Sequence, residues 1–97
     1  MSMPTDAQPA MSFAAFVLSL ATTAAVHFGD LADVDTGKPQ EPNLIAAAQM
    51  IDILAMLEEK TRGNLTPEEH NLLAQILYEL RLRFVEAQKP QKRIIEP

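Results

Sequence analysis

The sequence predicts an all-α protein of three helices. Apolar residues recur at three- and four-residue spacing in three blocks, Phe13 to Phe28, Leu44 to Lys60 and Pro67 to Ala87. Each block is preceded by a residue whose side chain can accept from a first-turn amide, namely Ser12, Asn43 and Thr66. The seven prolines and three glycines fall between the blocks, outside them, or at the first helical position, where they punctuate helices without breaking them. At 97 residues the chain is one domain at most, assigned to residues 12–87, with flexible segments expected at 1–11 and 88–97.

Helix one opens at Ser12 and stops at Gly29, the residue type best suited to a left-handed C-terminal position. Phe13, Phe16, Val17, Leu20, Ala24 and His27 form its bulky face. The other side is not polar: Ala14, Leu18, Ala21 and Ala25 repeat at helical spacing, beside Ala15, Ser19 and Thr22. A helix that is apolar nearly all round has to be covered nearly all round, and two further helices of a short chain are too few to enclose it. Phe13, Phe16, Val17, Leu18, Leu20, Ala21 and Ala25 are therefore expected at an interface between copies.

Asp30 to Pro42 is a turn-rich acidic connector. Helix two places Leu44, Ala47, Ile51 and Leu54 in one seam, flanked by Ala48, Met50, Ile53 and Leu57, with Gln49, Asp52 and Glu59 on the wet side. Lys60 and Arg62 suit its C-terminal dipole, and Gly63 with Asn64 supplies the stop. Helix three has the sharpest start: Thr66 at the N-cap, Pro67 next, and Glu69 completing a capping box. Leu73, Ile76, Leu77, Leu80 and Phe84 line its inner face, while Glu68, Asn71, Gln75, Glu79 and Glu86 stay outside. The short connection makes helices two and three an antiparallel hairpin.

Eight basic residues against thirteen acidic ones argue against nucleic acid as a partner, because neutralising phosphates needs a basic surplus on one surface. Arg81, Arg83, Lys89, Lys92 and Arg93 make the last quarter locally positive, but with only Tyr78 and Phe84 as aromatic companions. The absence of cysteine removes disulfides, thiolate nucleophiles and cysteine-ligated metal. Asp30, Asp33 and Asp35 ahead of Gly37 lack the ligand spacing and closing glutamate of a calcium loop, so the segment reads as a solvated acidic connector. His27 and His70 stand in no ligand-spaced motif: His27 complements the helix-one dipole and His70 is a first-turn surface residue. With no phosphate loop, serine elbow or framed carboxylate pair, no enzyme activity is expected, and no cofactor or metal. Arg81 and Arg83 read as solvated helix charges pairing with Glu79 and Glu86.

The stretches FVLSLATTAAVHFG, Ile51 to Lys60, GNLTPEE and LYELRLRFVE, within Ser12 to Glu86, resemble an uncharacterised bacterial domain-of-unknown-function family of small proteins. The resemblance implies a cytoplasmic bacterial protein and brings no reaction, ligand or catalytic residue with it. The expected function is that of a small self-associating interaction or scaffold module, a homodimer before a tetramer, with an unknown protein partner open. The alternative is a membrane-associated protein anchored by helix one, residues 12–28, since Ala7 to Gly29 carries no charge. Thr22, Thr23 and His27 in that span, and the missing basic flanks, count against it. A third class, a small-molecule binder between oligomerised helices, has no convergent polar set to mark it.

Overall fold

A computed structural model describes residues 10–32, 36–38 and 41–89, which hold three helices: α1, Phe13–Phe28; α2, Leu44–Lys60; and α3, Pro67–Gln88. The expected flexible segments at 1–11 and 88–97 fall mostly outside these residues. Within the domain, helix boundaries follow the caps. Ser12 Oγ accepts from the Ala15 amide at 3.0 Å, and Asn43 Oδ1 accepts from the Ala46 amide at 3.0 Å. At α3 the box is closed from both sides, the Glu69 amide donating to Thr66 Oγ1 at 3.1 Å and the Thr66 amide to Glu69 Oε1 at 2.9 Å.

The C-terminal ends differ in kind. At the end of α1, Gly29 takes φ +85°, its amide donating to the Val26 carbonyl and the Asp30 amide to the Ala25 carbonyl, both at 2.9 Å. That is the Schellman arrangement, and the positive φ is what demands glycine there. Helix α2 ends at Lys60, ahead of the expected Gly63–Asn64 stop: the Thr61 amide makes the last α-helical bond, to the Leu57 carbonyl at 2.9 Å, which the Thr61 hydroxyl also reaches at 2.6 Å, and the Arg62 amide then turns to the Glu59 carbonyl at 3.3 Å. Gly63 then serves the turn that follows.

The Asn43 amide donates to the His27 carbonyl at 2.7 Å, so α2 begins where α1 ends and runs back along it. One groove brings Leu44, Ala48 and Asp52 against Phe84 and Gln88, and at the far end Glu58 and Thr61 adjoin Leu65 and His70. The start of α2 thus lies beside the end of α3, and every pair of helices is in contact. The core combines Val17 and Phe28 of α1, Ala47, Ile51 and Leu54 of α2, and Leu73, Ile76 and Leu77 of α3, with Ala24 and Met50 also buried. Phe28, beyond the bulky face as read from spacing, is a core residue; it lies four and eleven positions after Ala24 and Val17 and so continues their row. Phe16, placed on that face, stays 39% exposed, and His27 is half-buried.

Candidate interaction surface

Helix α1 has no Asp, Glu, Lys or Arg along its sixteen residues, yet within the protomer it buries only Val17, Ala24 and Phe28. Ala15, Phe16, Leu18, Ser19, Thr22 and Thr23 face outward. Three of these carry hydroxyls, and each donates back into the helix: Ser19 to the Phe16 carbonyl at 2.7 Å, Thr22 to Leu18 at 2.9 Å, and Thr23 to Ser19 at 3.0 Å. Their donors are satisfied before anything docks, so covering the face strands no hydroxyl proton. What remains toward solvent is methyl, methylene and small-residue surface around Phe16 and Leu18, the latter 50% exposed.

The seven residues expected at an interface therefore separate into two groups. Val17 is wholly enclosed by its own protomer, which corrects its assignment to a shared surface, and Phe13, Leu20 and Ala21 lie partly buried against the same core. Ala25 is half-buried. Phe16 and Leu18 alone of the seven are open to a partner. Spacing sets Val17 on the bulky face and Leu18 on the second one, and both faces are apolar; only the positions of α2 and α3 tell the inner one from the outer.

Arg83 also departs from expectation. It is held by Asp30, 53 positions away, and not by a neighbour on its own helix: Nε donates to Oδ2 at 2.8 Å and Nη2 to Oδ1 at 2.7 Å. The guanidinium also lies over the Phe28 ring, 5.2 Å from its centroid. These two hydrogen bonds hold the Asp30 carboxyl below the usual carboxylate range, against the smaller opposing effect of partial desolvation, and the same bonds hold the Arg83 proton more firmly. Asp33 and Asp35, the other acids of the connector, lie outside the described residues.

A further set of exposed apolar residues, Tyr78, Leu82 and Val85, lies on the outside of α3, opposite Leu73, Leu77 and Leu80. Their spacing of four and then three residues was visible in the sequence, but the stronger inner row hides it. The hollow of 430 Å³ at the α2–α3 turn, flanked by Glu58, Arg62 and His70, opens to solvent, and among the described residues no three His, Cys, Asp or Glu side chains gather as metal ligands.

Among the described residues no helix is long and apolar enough to cross a membrane. Sixteen residues of α1 extend about 24 Å, short of the roughly 30 Å of a bilayer core, and one side of the helix is committed to the protein interior. Helix α1 is thus too short to serve as a spanning form of the anchor expected at residues 12–28.

The fold and surface define a class, an all-α three-helix domain with an uncharged helix left open along one face. A family model matches residues 10–86, and the chain belongs to that family, described as a domain of unknown function, DUF1844. No curated protein and no solved structure matches the chain.

Proposed function

We propose that the protein acts by association, first with itself, as a small helical scaffold module, and that it carries out no catalysis. The supporting observation is the outward face of α1: sixteen residues without a charge, with Phe16 and Leu18 exposed and the hydroxyls of Ser19, Thr22 and Thr23 already used internally. Apolar area left in water forfeits about 25 cal/mol per Å², and a second copy of the same face recovers it. The small outward residues Ala15, Ser19, Thr22 and Thr23 beside Phe16 and Leu18 let two such helices approach closely. A two-fold axis is the simplest closure, which makes the dimer the first assembly and the tetramer the next. The reading places the module in the cytoplasm of a bacterium, as the family resemblance implies, with a different protein able to take the place of the second copy.

The test is the mass of the purified chain by light scattering after size exclusion, compared with that of Leu18→Asp. Leu18 is outside the core, so the variant should keep its helix content while an unpaired charge at the contact halves the assembly mass. An unchanged mass would remove α1 as the interface. Ala21→Glu is a poorer probe, because Ala21 packs against the core of its own protomer.

A further inference from the structure

From Tyr78, Leu82, Val85 and the charges beside them we infer a second self-association surface, in which α3 pairs with the α3 of another copy, parallel and in register. Tyr78, Leu82 and Val85 are 65%, 48% and 51% exposed, although none has a charged head to keep in water. Successive gaps of four and three residues are those of a coiled-coil seam, with Tyr78 and Val85 at d positions and Leu82 at the a position between them. The helix face toward the protomer's own core, Leu73, Leu80 and Ala87, then falls on f, opposite the seam, so the same helix serves both packings without conflict.

The flanking charges identify the occupant. In this frame Arg81 is at g and Glu86 at e, on opposite edges of the apolar row, and both are exposed. In a parallel pair each g residue faces the e residue of the next heptad on the other helix, five positions on, which sets Arg81 of one copy against Glu86 of the other, twice by symmetry. An antiparallel pair would instead bring like edges together, Glu86 with Glu79 of the same row. Arg81 is left available for this contact: among the described residues the one salt bridge is that of Arg83 with Asp30. Glu79 is engaged locally, accepting from Gln75 Nε2 at 2.8 Å, so the apolar seam begins at Tyr78. This surface stands independently of the α1 face. With both in use, two-fold pairs through α1 join through α3 into a larger assembly, which closes as a tetramer where the two axes are perpendicular.

The absence of cysteine makes the register directly readable. Single Tyr78→Cys, Leu82→Cys and Val85→Cys chains, oxidised in solution, should each form a disulfide-linked dimer, because a parallel in-register seam sets every such position against itself. Linkage at only one of the three would indicate an antiparallel crossing and overturn the assignment, as would linkage at none. A charge exchange gives the second readout, in the Leu18→Asp background so that only the α3 contact is measured. Arg81→Glu alone and Glu86→Arg alone should each weaken association about tenfold or more through two reversed pairs, and the double exchange should restore it. Failure of the double exchange to restore association would overturn the pairing, whereas an unchanged mass in Leu18→Asp with intact α3 cross-links would count against the α1 proposal alone.

Discussion

Asp30 and Arg83 join the end of α1 to the last turns of α3 by two hydrogen bonds, and Phe28 packs beneath the guanidinium. Both side chains remain substantially open to water, so screening leaves the pair worth about 1 kcal/mol or less. Its contribution has a definite pH dependence. The folded-state carboxyl is depressed relative to the unfolded chain, so the stabilisation is complete above the ordinary carboxylate range and is lost as pH falls through the lowered folded value. Asp30→Asn should therefore be less stable to urea than the parent at neutral pH, with the gap closing under strongly acidic conditions. A gap that persists there would mean that the residue acts through something other than its charge. Gly29 is the other position where one residue carries local geometry: Gly29→Ala forces a Cβ into φ +85° and should cost about 1 kcal/mol in the same assay.

Each helix depends on a cap, a buried row and an exposed row. The Thr66–Glu69 box satisfies two backbone groups at the start of α3, and Thr66→Ala should lower stability by about 1 kcal/mol, read as a shift in the urea midpoint at unchanged slope. The buried rows carry far more. Leu54 and Leu73 are fully enclosed, and Leu54→Ala should cost about 2–5 kcal/mol, enough to unfold much of the population if total stability lies near the low end of the usual 5–15 kcal/mol. Helix starts were legible in the sequence because capping is local chemistry: Ser12, Asn43 and Thr66 each act on an amide three residues away. The end of α2 was less so: Gly63 offers the stop in the sequence, whereas the helix already gives way after Lys60, where the Arg62 amide turns to the Glu59 carbonyl.

For the whole molecule, thermal unfolding reports on association. An assembly held by the α1 face should melt at a temperature that rises with protein concentration, since mass action favours the bound state, and Leu18→Asp should reduce that dependence to what the α3 contact supplies while barely changing the melting temperature at high dilution. Concentration-independent melting of the parent would indicate a protomer complete in itself. Apolar spacing, caps and turn residues sufficed to determine three helices, their order and the greater part of their inner faces, because each depends on residues within a turn of one another. Which side of α1 is inside, the partnership of Asp30 with Arg83, and the exposure of Tyr78, Leu82 and Val85 were decided only by tertiary structure. A helix apolar on every side has no local preference for which side is buried, and an ion pair across 53 positions leaves no mark at helical spacing. Both are settled when α2 and α3 occupy one side of α1 and leave the other to water or to a partner.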